Sequence, residues 1–127
     1  MPTPSPKVAA IHDIAGFGRC SLAVVLPTLS AMGVQCVALP TAYLSSQTSY
    51  PDFSFHDLTE EMKKTMVQWR KLGLQFEAVY SGFLGSVEQI AIVSDFIREF
   101  LRPGGLTVVD PVMGDYGRRY ATYTDEM

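Results

Sequence analysis

Two carboxylates follow a short apolar segment late in the chain and could act together on a ligand. The segment 106–109, Leu-Thr-Val-Val, runs directly into Asp110, and Asp115 lies a little further on. A Pro-Gly-Gly breaker at 103–105 precedes this segment and Pro111 stops it, which predicts a strand covered on both faces. Ligands of open α/β sheets bind beyond the carboxyl ends of such strands, where carboxylates can hold a metal ion and phosphate. The alternative is that both aspartates are only turn residues.

The composition describes one globular unit and gives no sign of a nucleic-acid or membrane partner. The chain has 127 residues, is 47% hydrophobic and carries a net charge of -3, so it can bury a core and has no basic patch. No apolar run approaches the roughly 20 residues of a membrane span. Residues 1–7 contain three prolines and predict a disordered leader in place of a signal peptide, and hence a cytoplasmic protein.

The cysteines and histidines do not predict a metal site. Cys20 and Cys36 form no Cys-x-x-Cys pair and have no histidine cluster beside them. This pattern argues against structural zinc, and we expect two reduced, buried thiols. His12 lies in or at the end of a predicted strand and His56 in a predicted loop, so neither is given a catalytic role.

Strand and helix signals alternate along the chain. The predicted strands cover 8–12, 34–39, 78–80 and 106–109. The residues expected to begin the three helices are Ser21 as an N-cap, and the pairs Asp57–Glu60 and Ser86–Gln89 as capping boxes. The segment 40–55 is predicted to be a polar loop, and its length suggests a function.

The second and third predicted helices each carry an apolar stripe at helical spacing. The stripe of the second consists of Leu58, Met62, Met66, Trp69 and Leu72. The stripe of the third consists of Ile90, Val93, Phe96, Ile97, Phe100 and Leu101. Both stripes predict core packing and not a cofactor site. Pro27 is expected to kink or shorten the first helix.

These elements predict an α/β fold, with a parallel sheet covered by helices on both faces. The alternation favours right-handed crossover connections between parallel strands. Because the carboxyl ends of such strands meet at one edge, the segments 12–13, 40–50, 81–85 and 110–115 should lie together. Four polar segments at one edge predict a binding site more strongly than any one of them alone.

The common nucleotide-binding loops are absent from the sequence. A Rossmann dinucleotide site would need a glycine at Ser21 and an acidic residue near Thr41. No Gly-Lys-Ser/Thr occurs, which excludes a Walker A loop. A receiver domain would need an acidic pair after the first strand, where Asp13 stands alone. A non-catalytic small-molecule-binding module stays open as a second class of function.

Four motifs in this order resemble the pyridoxal kinase branch of the ribokinase superfamily. They are the glycine-rich segment 10–22, Ser-Ser-Gln-Thr-Ser-Tyr at 45–50, Ser-Gly-Phe-Leu-Gly-Ser at 81–86 and Asp-Pro-Val-Met-Gly-Asp at 110–115. The resemblance implies a ribokinase-like sheet and ATP-dependent phosphorylation of the 5'-hydroxymethyl group of pyridoxal, pyridoxine or pyridoxamine, a step of vitamin B6 salvage. Hydroxymethylpyrimidine phosphate kinase shares the Asp-Pro-Val-Met motif and is the alternative.

The resemblance also implies roles for six residues. They are Asp13, Thr48 and Phe83 for the substrate, Asp110 and Asp115 for the metal, and Asp115 and Tyr120 for phosphate. Asp13 stands where many relatives have a serine, so the preferred vitamer stays open. The implied cofactors are ATP and Mg²⁺, with a monovalent cation left open, and the full-length protein is expected to be a homodimer. An ordinary turn role is the alternative for Asp13 and Thr48, and core packing is the alternative for Phe83.

The resemblance covers only the amino-terminal part of the family's domain. The family's Gly-x-Gly-Asp segment, whose amides bind an anion and whose aspartate activates the substrate hydroxyl, does not occur in residues 1–127. No residue present is a convincing general base. We therefore expect a domain truncated after about four strands, with its catalytic base in the missing carboxyl-terminal part and no activity by itself.

Overall fold

Residues 3–127 fold into one main sheet with three helices. The computed structural model describes residues 3–127, so Met1 and Pro2 of the expected leader lie outside the described residues. The strands are β1 (Lys7–Phe17), β2 (Gln35–Ser46), β3 (Phe55–Asp57), β4 (Phe76–Ser81), β5 (Leu101–Val109), β6 (Gly114–Asp115) and β7 (Arg118–Arg119). The helices are α1 (Leu22–Ala31), α2 (Thr59–Lys71) and α3 (Val87–Phe100). The main sheet has the order β3-β2-β1-β4-β5, and β6 pairs with β7 separately.

The predicted parallel sheet is confirmed. Strand β1 pairs in parallel with β2 and β4, and β4 pairs in parallel with β5, whereas the short β3 runs antiparallel to β2. The chain crosses the sheet in one direction from β1 to β2 and in the other from β2 to β4 and β5. Crossovers of the usual right-handed sense therefore place α1 on one face and α2 and α3 on the other. Among the described residues, α2 and α3 contribute to the main core cluster and α1 does not. The fold is therefore α/β with helices on both faces, as the sequence predicts.

The main core is built around four aromatic side chains. Phe76 of β4 packs against Trp69 of α2 at 5.5 Å between ring centroids, and against Phe96 of α3 at 5.7 Å. Phe96 stacks on Phe100 at 4.7 Å, because residues four apart share one face of a helix. All three phenylalanines are almost completely buried, so this cluster anchors α2 and α3 to the sheet.

In each of the two apolar stripes predicted from the sequence, the central residues face the core as expected, but one terminal residue is exposed. Leu72 is 60% exposed, because α2 ends at Lys71 and Leu72 caps it. Ile90, in the first turn of α3, is also exposed. Pro27 lies inside α1, which has ten residues. None of the described helices is long and apolar enough to cross a membrane.

Two of the three predicted helix starts are wrong in detail. Ser21 precedes α1, but its side chain makes no capping hydrogen bond to the helix. Asp57 still belongs to β3, so α2 begins at Thr59, whose amide donates to Asp57 Oδ1 at 2.9 Å. The third start is confirmed at its N-cap, because Ser86 Oγ accepts a hydrogen bond from the amide of Gln89 at 3.2 Å. The other half of the capping box is not formed, since Gln89 Oε1 accepts from the amide of Gly85 and not of Ser86.

The predicted polar loop 40–55 is wrong for half of its length. Strand β2 continues to Ser46, because its second half pairs with the end of β1 on one side and with β3 on the other. Only residues 47–54 connect β2 to β3. The expected leader is also shorter, since Lys7 already belongs to β1 and its amide donates to Glu77 Oε2 at 2.6 Å. Pairing between distant segments here outweighs local polar composition.

Strand β5 is exposed, although the sequence predicts a strand covered on both faces. Leu106 and Val109 are each 61% exposed. β5 is also the edge strand of the sheet, so it has a strand neighbour on one side only. The proline at 103 is compatible with this place, because an edge strand can lack a backbone donor.

The burial of Phe96 and the exposure of Leu72 predict different losses in the free energy of unfolding when each is replaced by alanine. Phe96→Ala should lower the free energy of unfolding by about 3–5 kcal/mol, because it opens a cavity between α3 and β4. Leu72→Ala is the control, and it should cost less than about 1 kcal/mol since the side chain is exposed. Urea denaturation followed through the single tryptophan, Trp69, measures both. Equal losses in the two variants would contradict this placement of the core.

Candidate functional site

One cavity gathers the polar segments at the carboxyl ends of the parallel strands. Its volume is about 530 Å³, a size typical of small-molecule sites. The six residues assigned from the sequence all line it: Asp13, Thr48, Phe83, Asp110, Asp115 and Tyr120. The structure thus brings the predicted segments together, while the role of each residue stays a prediction.

Asp13 is held in the wall of this cavity by a neighbouring hydroxyl. It is only 7% exposed, and Ser21 Oγ donates to its Oδ1 at 2.5 Å. Burial raises the pKa of Asp13, and the Ser21 hydrogen bond opposes part of that effect. Ser21 has a φ angle of 51°, a left-handed conformation that is strained for a residue other than glycine. The structure therefore fixes the Asp13 carboxyl at the cost of local backbone strain.

His12 is a cavity residue that sequence reasoning missed. It is 4% exposed, and its ring packs edge-to-face with Tyr80 at 4.4 Å between ring centroids. Its Nε2 has no hydrogen-bond partner among the described residues. Burial lowers the pKa of His12 to about 4, against an opposing effect of the Asp110 carboxylate. The imidazole is therefore neutral at physiological pH. The position at a strand end was the available signal, but a histidine inside a strand is usually a core residue.

Gly82 follows β4 directly and lets the chain pass the His12 ring. The amide of Gly82 donates to the carbonyl of Ile11 at 2.8 Å, so the backbones of the two segments stay in contact. A Cβ atom at position 82 would lie 2.1 Å from His12 Nδ1. No side chain fits there unless the histidine moves, which explains why the chain needs glycine at this position.

Asp110 and Asp115 lie on the exposed side of the cavity. Asp110 Oδ1 accepts from the amide of Val112 at 2.9 Å, and Asp115 Oδ1 accepts from the amide of Tyr116 at 2.9 Å. The turn role that the sequence left open is therefore present for both. Within residues 3–127, no group of three or more His, Cys, Asp or Glu side chains could hold a metal. Two carboxylates still fit Mg²⁺, which commonly takes one or two of them together with water and phosphate oxygens.

The other three predicted residues differ in their surroundings. Phe83 is half-buried, and its ring packs against the edge of Phe55 at 6.3 Å between centroids. Thr48 is exposed in the connection 47–54. Tyr120 is exposed after β7, and its amide donates to the carbonyl of Met113 at 3.0 Å. Phe83 therefore offers the cavity an aromatic wall, while Thr48 and Tyr120 offer hydroxyl groups.

The glycine-rich turn after β1 contributes two more lining residues that were not predicted, Arg19 and Cys20. The signal was available, because a turn at the end of a parallel strand is a common place for ligand contacts. Cys20 and Cys36 are both free and half-buried, where the sequence predicts buried thiols. Burial is the main cause that raises the pKa of each thiol, so both are protonated and weakly nucleophilic at neutral pH.

Comparison with known proteins points to one group of kinases. No family model matches the chain. It is 30% identical over 113 residues to the pyridoxine/pyridoxal/pyridoxamine kinase of Bordetella avium, covering 85% of the chain and 38% of that protein. The pyridoxal kinase of Lactobacillus plantarum has a TM-score of 0.84 at 30% identity, over 94% of the chain and 42% of that structure. The chain is therefore similar in sequence and fold to part of these pyridoxal kinases.

A crystal structure from Bacteroides thetaiotaomicron, of a protein assigned as a phosphomethylpyrimidine kinase, is more similar still. It matches with a TM-score of 0.93 at 54% identity, over 99% of the chain and 44% of that structure. A second crystal form of that protein contains pyridoxal and matches at 56% identity with a TM-score of 0.91, over 94% of the chain and 42% of that structure. The chain spans less than half the length of each of these relatives.

The buried histidine predicts a loss of stability on mild acidification. The unfolded chain binds a proton at His12 below about pH 6.5, whereas the folded chain does so only near pH 4. The free energy of unfolding should therefore fall as the pH is lowered through this window, by about 3 kcal/mol at most from this group. The raised pKa of Asp13 acts in the opposite sense, so the wild type must be compared with His12→Gln. Identical pH dependence in the two proteins would contradict the prediction.

Two alanine substitutions test the contact between His12 and Gly82. Gly82→Ala should destabilise the protein by about 1–3 kcal/mol, because the new methyl group overlaps the imidazole ring. Gly85→Ala is the matched control, since its nearest atoms would lie at ordinary contact distances of 3.4 Å and 3.6 Å. Chemical denaturation gives both values. The packing is contradicted if Gly85→Ala costs as much as Gly82→Ala.

Proposed function

We propose that this chain is the amino-terminal portion of one ribokinase-like domain, residues 1–127, and that the protein phosphorylates B6 vitamers with ATP. The phosphate would go to the 5'-hydroxymethyl group of pyridoxal, pyridoxamine or pyridoxine. The observation that carries this proposal is the shared cavity, in which three candidate substrate residues and three candidate phosphate and metal residues lie together. The similarity to pyridoxal kinases over most of the chain supports the same reaction.

The substrate end of the cavity suits a small aromatic ring with polar edges. Phe83 would border the ring face, and the hydroxyl of Thr48 would contact a polar substituent. The fixed carboxyl of Asp13 would pair with the ring nitrogen or the 3-hydroxyl group, since Ser21 occupies only its Oδ1. The raised pKa of Asp13 suits this role, because a carboxyl that is easily protonated can accept or donate a hydrogen bond.

The phosphate end is the exposed pair Asp110 and Asp115 together with Tyr120. The carboxylates would hold Mg²⁺, which neutralises phosphate charge during phosphoryl transfer. The Tyr120 hydroxyl would contact the transferred phosphate. His12 would take no proton from the substrate, because burial already disfavours its charged form. We propose that the general base lies outside residues 1–127 and that these residues alone do not turn over substrate.

A second candidate function is the phosphorylation of hydroxymethylpyrimidine or its phosphate. The protein from Bacteroides that shares 54% identity with this chain and is assigned to that activity favours it. The pyridoxal present in another crystal form of the same protein favours the B6 vitamers. We place the protein in the cytoplasm as a homodimer, and a non-catalytic binding role would apply only to the isolated residues 1–127.

The first functional prediction concerns substrate choice by the full-length protein, of which residues 1–127 are proposed to be the amino-terminal portion. Pyridoxal or pyridoxamine should be phosphorylated with a kcat/KM at least about 10-fold above that of hydroxymethylpyrimidine, a difference of about 1.4 kcal/mol in transition-state binding. Steady-state assays with each compound and ATP measure the ratio. A preference for the pyrimidine would move the protein to the second candidate function.

The second functional prediction separates the two ends of the cavity. Asp115→Asn should lower Mg²⁺-dependent turnover about 10-fold or more with little change in stability, because the residue is exposed and acts through the cation. Asp13→Ala should mainly raise the KM for the vitamer, and Asp13→Ser should recover part of the loss. Asp95→Asn, on the outer side of α3, is the control for removal of a surface carboxylate. Unchanged kinetics for both site variants would leave these aspartates as turn and wall residues only.

A further inference from the structure

A buried polar cluster connects the elements that carry the cavity walls. It consists of Thr41 in β2, Thr59 at the start of α2 and Gln89 in the first turn of α3. Thr41 and Gln89 are fully buried, and Thr59 is nearly so. Burying a primary amide costs several kcal/mol unless it is hydrogen-bonded, so an apolar residue of the same size would be the simpler choice for packing alone.

The side chain of Gln89 is fully engaged in this cluster. Its Nε2 donates to the carbonyl of Thr41 at 2.9 Å and to Thr59 Oγ1 at 3.0 Å, and its Oε1 accepts from the amide of Gly85 at 2.7 Å. The backbone donor of Gly85 fixes which end of the amide is oxygen. In an ordinary capping box this side chain would return to the amide of Ser86. Here it holds the preceding residue and reaches across to two other elements.

Thr41 extends the cluster to the cavity wall. Its Oγ1 donates to the carbonyl of Phe83 at 2.8 Å, while its own carbonyl accepts from Gln89 and from the amide of Leu58 at 3.0 Å. The segment 83–85 is therefore held at its first carbonyl and at its last amide. Phe83 lines the cavity, whereas Thr41 and Gln89 are not among the described residues that line it.

We infer that Gln89 and Thr41 are positioning residues that set the Phe83 wall for ligand binding without touching the ligand. The inference rests on the proposed function, because it assumes that the cavity takes the substrate. Phe83 lies in the segment 82–86 between β4 and α3, which is longer than a tight turn. The cluster ties this segment to the middle of β2 and to α3, so a ligand meets a wall that is already in place and little ordering has to accompany binding.

The test compares the affinity for pyridoxal with global stability in the protein as expressed from its gene. Gln89→Met and Thr41→Val keep side-chain size but remove the bonds to the segment 83–85, and both should raise the Kd for pyridoxal about 5-fold or more. Thr41→Ser restores the hydroxyl and should stay within about 2-fold of the wild type. Gln68→Met, on the exposed side of α2, should leave the Kd unchanged. Calorimetric titration gives Kd, and urea denaturation gives stability.

A matched variant distinguishes positioning from a general loss of stability. Thr59→Val removes one bond from the same Gln89 amide but leaves the bonds to Phe83 and Gly85, so it should lower stability while the Kd stays within about 2-fold. The inference is wrong if Thr59→Val weakens binding as much as Thr41→Val, or if Gln89→Met and Thr41→Val bind as tightly as the wild type.

A measurement on the wild type covers the case in which a variant does not fold. The Gln89 side-chain amide and the Gly85 backbone amide should exchange slowly with solvent, and their resonances should shift when pyridoxal saturates the protein. Resonances that stay unchanged at saturation would overturn the inference. A wild type that binds hydroxymethylpyrimidine but not pyridoxal refutes the proposed substrate, and the variants are then compared with that compound. Binding of neither compound refutes both the proposed function and the inference.

Discussion

The parallel pairing of β1 on both of its edges decides where the chemistry of this chain lies. Ile11 is level with Leu39 of β2 and with Ser81 of β4, and Ser81 is level with Val109 of β5. Each strand therefore delivers its next residues to the same edge of the sheet. Because of this register, Asp13, Phe83 and Asp110 line one cavity, although they are far apart in the sequence.

The inner and outer parts of the cavity differ in how easily their side chains carry charge, and burial is the cause. It disfavours charge on both His12 and Asp13, since it lowers the pKa of the histidine and raises that of the aspartate. The inner wall thus favours neutral groups that form hydrogen bonds. Asp110 and Asp115 are exposed and can carry charge at little cost. A ligand with an aromatic ring at one end and a metal-bound phosphate at the other would match this division.

The sequence predicts the local features of the fold and fails where distant segments decide. The parallel strands and the meeting of their carboxyl ends follow from apolar runs and glycine or proline breaks, which act locally. The second half of β2 was predicted as loop, because its strand state depends on pairing with β3 and with the tail of β1. The exposure of Leu106 depends on what lies beside β5, which no property of the segment itself reveals. Gln89 was recognised as a capping residue, but its bonds to Thr41 and Thr59 join positions far apart in the chain.

The start of α1 shows how stability and site geometry compete for one side chain. Ser21 stands where a serine usually bonds to the amides of the first helical turn, and the loss of such a cap typically costs about 1 kcal/mol. Its hydroxyl donates to Asp13 instead, in a backbone conformation that costs a further amount of order 1–3 kcal/mol. Capping would use a lone pair of the hydroxyl oxygen, whereas the bond to Asp13 uses its hydrogen, so the two roles compete through the orientation of the side chain. With Oγ directed at Asp13, no amide of the helix donates to it. Such an arrangement persists only when the surrounding packing enforces it, and here the buried middle of β1 holds Asp13 beside the turn. The orientation of this carboxyl is therefore set before any ligand enters, as recognition of a ring with one defined polar edge requires.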